Sequence, residues 1–140
     1  MIQEFFDLYI ETSGQKLYEF TSKSIEWIQS NKFKNGILNL SVQHTSASLI
    51  VQENADPDVQ QDLINYFSKL VPMNNDLYLH TTEGEDDMPA HIKSTLTNNQ
   101  ISLSIKDGKL LLGTWQGLYL FEHRLNSQRR KIIHHFIGNV

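Results

Sequence analysis

Cysteine is absent from this chain of 140 residues. Its absence excludes disulfides, thiolate nucleophiles and zinc sites built on sulfur ligands. Long apolar runs are absent as well, because the longest one, residues 118–121, is far shorter than the roughly 20 residues of a membrane-spanning helix. The first residues carry acidic side chains and no basic group, which is unlike a secretory signal. We therefore expect a cytoplasmic protein with no membrane partner.

The chain also lacks a surplus of basic charge. It has 12 Lys and Arg residues against 16 Asp and Glu residues, a formal net charge of −4. Proteins that bind nucleic acids gain most of their affinity by neutralising phosphates, so this balance argues against a nucleic-acid partner. Neither G-x-x-x-x-G-K nor G-x-G-x-x-G occurs, so no nucleotide cofactor is expected. With 39% hydrophobic residues and no linker or repeat, the composition predicts one folded domain over residues 1–140.

Alternation of apolar and polar residues recurs along the chain and predicts about seven or eight strands. The strands are predicted near residues 2–10, 38–46, 77–80, 101–105, 109–112, 116–122 and 130–137. Asp107-Gly108 is typical of a two-residue hairpin turn. Because several connections are this short, the pattern favours an α+β fold with a mainly antiparallel sheet or sandwich over a parallel doubly wound sheet.

Two or three helices are predicted among the early strands. The strongest signal is the helix that follows Asp56, a capping residue, with Pro57 in its first position. Its apolar residues recur at helical spacing until Pro72 ends it. A second helix is predicted near residues 21–30, and a short third one from Pro89 to about residue 96.

The densest run of polar residues, 80–91, places His80 and His91 at the two ends of an acidic loop. The carboxylates of this loop are Glu83, Glu85, Asp86 and Asp87. The spacing matches no standard zinc motif, yet a loop can bring its flanking histidines together. His91 is expected in the first turn of a helix, where the dipole disfavours imidazolium and leaves a ring nitrogen free to coordinate. A metal site and a solvated acidic loop with surface histidines both fit this pattern.

Two further places combine an apolar strand with groups that can do chemistry. His44 and Ser46 continue the face of a predicted strand at its end, where they would face a cavity; the alternative is a histidine bonded to a carbonyl and a serine in a turn. Glu122 continues the apolar face of its strand, which is costly unless the carboxylate is paired or binds a metal. It is therefore a candidate acid–base or ligand group, and the alternative is an ion pair with Arg124 or Arg130.

One local cluster of the chain is basic. It consists of Arg124, Arg129, Arg130 and Lys131. Guanidinium groups bind phosphate in a bidentate manner, so this cluster is a candidate anion site; the alternative is a solvated hairpin end. Upstream, glycines bracket Trp115 and Gln116, which suggests a bend or a close approach of the backbone.

Several ordered motifs occur in this short chain. They are His44-Thr-Ser-Ala-Ser-Leu49, Glu53-Asn-Ala-Asp-Pro-Asp-Val59, Asp86-Asp-Met-Pro-Ala-His-Ile-Lys93 and Leu112-Gly-Thr-Trp-Gln-Gly117, with Leu70–Pro72, His80, Glu83-Gly84 and Tyr119–Arg124 between and after them. Together they make the chain resemble, from end to end, the YjbQ-like family, which is also labelled secondary thiamine-phosphate synthase. The resemblance implies a mixed fold with two sheets, assembled as a trimer about a threefold axis.

The resemblance also implies an activity and a site. The activity is the joining of a pyrimidine methyl diphosphate to a thiazole phosphate with release of diphosphate. The site is a cleft that brings together His44, His80, His91 and Glu122. The expected roles are catalysis for His44 and Glu122, substrate binding for Ser46, Asn54, Trp115, Gln116 and Arg124, and divalent-metal binding for His80, His91 and Asp86. Histidine suits a transition metal such as Zn²⁺ better than Mg²⁺. A non-catalytic trimer that binds a metal or a phosphorylated metabolite, and a metal-dependent hydrolase, are the alternatives.

Overall fold

The computed structural model describes residues 1–140, which form eight strands and three α-helices. The strands are β1 (Ile2–Thr12), β2 (Lys16–Glu19), β3 (Asn35–Val42), β4 (Ala47–Glu53), β5 (Gln100–Lys106), β6 (Lys109–Leu110), β7 (Gln116–Glu122) and β8 (Gln128–Asn139). The helices are α1 (Thr21–Ser30), α2 (Pro57–Leu70) and α3 (Asp87–Leu96), with a short 3₁₀ helix at Asn75–Leu77. None of the helices is both long and apolar enough to cross a bilayer.

The strands form two sheets, and every pairing is antiparallel. The larger sheet has the order β1-β8-β3-β5-β6, and the smaller one has the order β2-β7-β4. Leu38 and Leu40 of β3 and Leu118 and Leu120 of β7 are fully buried in one apolar cluster, so the core lies between the two sheets. The predicted α+β class with mainly antiparallel strands in two sheets is confirmed.

The two faces of the smaller sheet are both covered. Its outer face packs against α2, where Tyr119 and Phe121 of β7 contact Phe67 and its apolar neighbours. A strand buried on both faces reads as a continuous apolar run, which explains residues 118–121. The outer face of the larger sheet has no such cover: Phe5 is 64% exposed and Ile37 is 55% exposed.

Two local predictions are confirmed in atomic detail. The Asp56 carboxylate accepts a hydrogen bond from the Asp58 backbone N–H at 2.9 Å, and α2 begins at Pro57. In the β5–β6 hairpin, Asp107 and Gly108 have φ values of 50° and 78°. Positive φ at both central residues is what a type I′ turn requires, and Gly and Asp tolerate it.

Some predicted boundaries were wrong. Residues 77–80 form no strand, because the Asn74 side chain accepts from the Asp76 N–H and starts a 3₁₀ turn there. The strand predicted to reach Ser46 ends at Val42, since the chain then crosses from the larger sheet to the smaller one. The third helix begins at Asp87 rather than Pro89. This earlier start places the Asp87 carboxylate in the first turn of α3.

Candidate metal centre and cleft

Three side chains at the start of α3 converge on one point. Asp87 and His91 are one helical turn apart and share a face of α3, while His80 comes from the preceding loop. The Asp87 Oδ2 atom lies 2.6 Å from His80 Nε2 and 3.1 Å from His91 Nε2. All three atoms lie within 4.8 Å of one another, so one ion could contact them together.

The hydrogen bonds of His91 reveal what its second nitrogen faces. His91 Nδ1 lies 2.9 Å from the Thr45 carbonyl oxygen, which can only accept, so Nδ1 carries a proton. In a neutral ring Nε2 is then unprotonated, and it points at a carboxylate oxygen of Asp87. Two acceptors facing each other at 3.1 Å require a cation between them, either a proton or a metal ion.

The Asp87 carboxylate is held in its ionised form. Burial alone would raise the pKa of Asp87, but the hydrogen bond from His80 and the electrostatic effects of His91 and Arg124 outweigh it, and the pKa is lowered. Arg124 Nη1 lies 2.8 Å from Asp87 Oδ1, which leaves Oδ2 for the histidines. Arg124 Nε also binds Asp86 Oδ2 at 2.8 Å. The carboxylate is therefore charged and its orientation is fixed.

The donor set fits a transition metal. Two imidazole nitrogens and one carboxylate oxygen are ligands typical of Zn²⁺ and of other late divalent ions, whereas Mg²⁺ prefers oxygen alone. The carbonyl that holds His91 Nδ1 is the kind of support that metal-bound histidines usually have. Structural zinc sites use four protein ligands, so three leave a position open for a further ligand.

A polar cleft of about 370 Å³ adjoins this centre. It is lined by His44, Thr45, Ala47, His91, Ser94, Thr95, Thr97 and Asn99. His91 belongs to both features, so the cleft and the metal centre share a wall. No carboxylate lines the cleft.

His44, which lines the cleft, has one defined tautomer. Its Nε2 accepts from the Lys131 backbone N–H at 2.9 Å, so the proton of the neutral ring is on Nδ1. Burial, followed by the charge of Arg130, lowers the pKa of His44, which keeps the ring neutral. The three predicted histidines thus converge in part: His44 and His91 line the cleft, and His80 joins His91 at Asp87.

The sequence prediction for the metal carboxylate needs one correction. Asp86 was the expected ligand, but the residue beside the histidines is Asp87. Asp86 Oδ2 accepts instead from Arg124 Nε and from the Leu125 backbone N–H. Arg124, expected to bind a substrate anion, is therefore occupied by the two aspartates of the loop.

Glu122 lies in a buried network rather than in the cleft. The Arg130 Nε and Nη2 atoms donate to its two oxygens at 2.8 and 2.6 Å, and Thr12 Oγ1 donates at 2.6 Å. The same guanidinium donates to Ser46 Oγ at 3.0 Å. This arrangement is the ion-pair alternative that the sequence left open, and it joins the smaller sheet to the larger one. Neither Glu122 nor Ser46 lines the cleft.

The other residues predicted to bind substrate are far from the histidines. In the β4–β7 register, Ala47 pairs with Glu122 at the cleft end and Glu53 pairs with Gln116 at the opposite end. Gln116 Oε1 accepts from the Gly113 backbone N–H, and Asn54 Nδ2 donates to Glu19 Oε2. Trp115 is mostly exposed beside them. Six strand steps of roughly 3.4 Å separate the two ends, so these residues form no part of the cleft.

Sequence reasoning missed several groups that the structure brings to this site. Ser94 and Thr95 line the cleft, Thr45 supplies the carbonyl to His91, and Asp87 joins the histidines. One signal was available: Asp87, His91, Ser94 and Thr95 fall at i, i+4, i+7 and i+8, a polar stripe at helical spacing. The contribution of Thr45 comes from its backbone and leaves no trace in the sequence.

Comparison with known proteins places the chain in a family. A profile described as "UPF0047 protein YjbQ-like" matches residues 7–139. The chain belongs to the UPF0047/YjbQ family. A UPF0047 protein of Synechocystis is 50% identical over 133 residues, which cover 95% of this chain and 90% of that protein. A UPF0047 protein of Methanocaldococcus jannaschii is 40% identical over 99% of this chain and 98% of its own length.

Solved structures of family members have the same fold. A YjbQ/UPF0047 protein of Clostridium acetobutylicum is 30% identical, covers 94% of this chain and 99% of its own, and superposes with a TM-score of 0.82. A YbjQ-like protein of Sulfolobus solfataricus, described as of unknown function, gives a TM-score of 0.85 at 20% identity over 99% of this chain and all of the other. The second likeness concerns the fold alone.

These relatives correct the expected activity. The proteins of Synechocystis, Salmonella and the other sources are named only as UPF0047 or YjbQ proteins, and none is named as a synthase or a transferase. The prediction of a thiamine-phosphate synthase was therefore wrong. Its predicted chemistry rested on the label of the resembling family and on no group of residues in the sequence.

Proposed function

We propose that this protein binds a divalent transition-metal ion through His80, Asp87 and His91. The observation that carries the proposal is the contact between His91 Nε2 and Asp87 Oδ2. The Thr45 carbonyl accepts a hydrogen bond from His91 Nδ1, so the proton of the neutral ring is on Nδ1 and Nε2 has a lone pair directed at the carboxylate. A metal ion resolves this contact with a neutral imidazole, which is the form that coordinates metals. His80 Nε2 lies against the same carboxylate oxygen and supplies the third ligand.

The surrounding residues support a pre-formed site. Thr45 orients the His91 ring, and Arg124 holds Asp87 through the oxygen that faces away from the histidines. A bound ion with an open position would act as a Lewis acid towards an oxygen ligand or a water molecule. The chain itself would fix the ligand geometry and present the polar cleft beside His91.

Metal binding is tested by titrating the chelator-treated protein with Co²⁺ and following heat and visible absorption. We expect one ion per chain, with absorption bands whose intensity indicates four- or five-coordination rather than the six waters of free Co²⁺. Asp87→Asn and His91→Ala should each weaken binding by a factor of ten or more, because ligand loss costs at least as much as the 10–100-fold effect of losing a supporting group.

The matched control is His135→Ala. His135 is a half-buried histidine on the outer face of the larger sheet, where it stacks on Phe5 and is hydrogen-bonded to Gln3. This variant should bind Co²⁺ like the original protein. Equal binding by His91→Ala and the original protein, or no binding by either, would contradict the proposal.

A homotrimer, a cytoplasmic location and a phosphorylated small molecule as partner stay predictions. A trimer would be recognised by the molar mass of the protein in solution.

A further inference from the structure

The charged groups around the metal centre balance one another before any ion is bound. Three acids, Asp86, Asp87 and Glu122, are buried, and three cations, Lys93, Arg124 and Arg130, lie among or next to them. Charge that is removed from water is costly unless a charge of opposite sign neutralises it. A divalent ion held by two neutral imidazoles and Asp87 therefore adds two positive charges, and each of the three buried acids is already paired with an arginine.

Lys93 is the cation of this group that has no ion pair. It is 4% exposed, and its ammonium group donates no hydrogen bond to another side chain. Asp86 is the acid that acts on it through its charge, and Asp86 is already bound to Arg124. The net charge of these buried groups is therefore zero before a metal is added, and a bound divalent ion makes it positive.

The cleft beside the metal centre offers donors without a partner. Ser94 Oγ is inaccessible to solvent and forms no hydrogen bond, although Ser94 lines the cleft. A buried hydroxyl without a protein partner is rare in folded proteins, so Ser94 Oγ has its hydrogen-bonding capacity left for a ligand or a water molecule. His44 adds the Nδ1–H described above, and the lining contains no acid.

We propose that this cleft binds a small anionic ligand, a carboxylate or a phosphate ester, that neutralises the metal, accepts a hydrogen bond from His44 Nδ1–H and, once the Ser94 side chain rotates towards the cleft, accepts a second one from Ser94 Oγ–H. The inference rests on the proposed metal site. The volume of the cleft, about 370 Å³, is at the small end of the range for ligand pockets. Carboxylates and phosphates are the acceptors that an imidazole N–H, a hydroxyl and a metal ion recognise together.

The experiment uses the Co²⁺-loaded protein and two probes, acetate and methyl phosphate, which separate the two ligand sources. We expect at least one probe to bind saturably and to shift the visible Co²⁺ bands, and the tighter probe identifies the source. Ser94→Ala and His44→Gln should each lower the affinity for that probe about tenfold or more, because hydrogen bonds to charged groups are strong. Ser102→Ala and His135→Ala serve as controls and should bind the probe normally, because both residues lie on the outer face of the larger sheet, away from the cleft.

Ser94→Ala also separates a ligand role from a structural one. Removing a buried hydroxyl that has no partner should leave the unfolding temperature of the ligand-free protein unchanged or higher. The same variant should lose most of the increase in unfolding temperature that the probe gives the original protein. A lower stability without ligand, together with an unchanged response to the probe, would assign Ser94 to packing alone and overturn the inference.

The two proposals fail in different ways. If Co²⁺ binds and neither probe binds, or if Ser94→Ala and His44→Gln bind the probes like the original protein, the anion site is wrong and the metal site stands. Equal affinity of a probe for the metal-free protein also overturns the inference, since the charge of the metal is what requires an anion. If Co²⁺ does not bind, both proposals fail.

Discussion

The side chains of Glu122 and Arg130 show how one pair of residues can join two sheets. Glu122 lies at the end of β7 in the smaller sheet, and Arg130 lies in β8 of the larger one. Both are buried, and the carboxylate is fully satisfied by Arg130, Thr12 and two backbone N–H groups. Removing either partner would leave the other charge buried and unpaired.

Arg130→Met should therefore destabilise the protein by about 3–5 kcal/mol, the usual cost of breaking a buried ion pair from one side. Denaturant unfolding measures the change in the free energy of unfolding. The double variant Arg130→Met with Glu122→Gln should recover part of the loss, because no full charge then stays unpaired.

Glu122→Gln distinguishes the structural position of Glu122 from a ligand role. Its carboxylate is fully used within the core, so the folded variant should bind Co²⁺ as the original protein does. A cost below 1 kcal/mol for Arg130→Met, or a loss of metal affinity in Glu122→Gln, would contradict this view of the pair.

What the sequence reveals at the residue scale depends on whether a partner is near in the chain. Glu122 lies on a hydrophobic face of its strand, which correctly predicts that the carboxylate needs a partner. In the sequence both Arg124 and Arg130 could be that partner, and the fold determines that it is Arg130. In the same way, residues 80–91 contain four acids, and the choice of Asp87 over Asp86 depends on where α3 begins. A shift of one residue turns a helical side chain by about 100°, which exchanges their partners.

At the scale of elements, the loop before α3 carries His80 and holds the backbone of Asp87 at the start of the helix. Gly84 has a φ of +112°, and the Asp87 N–H donates to its carbonyl at 3.2 Å. A Cβ at this position would also meet Asp86 Oδ1 at 2.9 Å. The loop thus needs glycine both for its backbone conformation and for its contact with Asp86.

Gly84→Ala should lower both the stability and the affinity for Co²⁺. The strained backbone should cost about 1–3 kcal/mol, and displacement of the loop should weaken metal binding about tenfold. Gly108→Ala is the matched control: φ is +78° there too, but the nearest atom lies 3.7 Å away in a hairpin turn outside the site. It should lose stability and keep its metal affinity; equal affinities in both variants would show that the loop does not position the ligands.

The sequence predicts elements well where the signals are local. Asp56-Pro57 and Pro72 bound α2, and Asp107-Gly108 makes the hairpin turn, because capping and turn chemistry act within a few residues. β2 was missed since it has four residues and its partner β7 lies a hundred residues later in the chain. Strand stability comes from such pairing and burial, which a short segment cannot display.

At the scale of the whole molecule, two buried histidines make stability depend on pH. Burial is the largest cause that lowers the pKa of His123 to about 3, and it likewise lowers the pKa of His134 to about 4. Each ring bonds a serine hydroxyl, Ser48 and Ser24 respectively, and no solvent reaches either one. Both rings are neutral when folded and take up protons when unfolded.

Stability should therefore be complete above pH 6.5 and should fall as the pH drops from 6.5 towards 4. Each of these two histidines contributes about 1.4 kcal/mol per pH unit, so together they give a slope of about 3 kcal/mol per unit, to which His44, whose pKa is also lowered, adds. Urea unfolding of the metal-free protein at pH 7.5, 6.5, 5.5 and 4.5 measures it, with His134→Gln expected to lower the slope by about 1.4 kcal/mol per unit. A free energy of unfolding that stays constant from pH 7 to pH 5 would contradict the buried neutral state of these rings.

The crossing between the two sheets, residues 43–46, has a consequence for mechanics. In this short segment the Thr45 carbonyl is hydrogen-bonded to His91 Nδ1, and the His44 ring accepts a hydrogen bond from the Lys131 backbone N–H in β8. Helix α3, the smaller sheet and the larger sheet are thereby connected through one short segment. A bound ion would therefore stabilise the packing of the two sheets against each other, and its loss would weaken that packing as well as releasing the loop before α3.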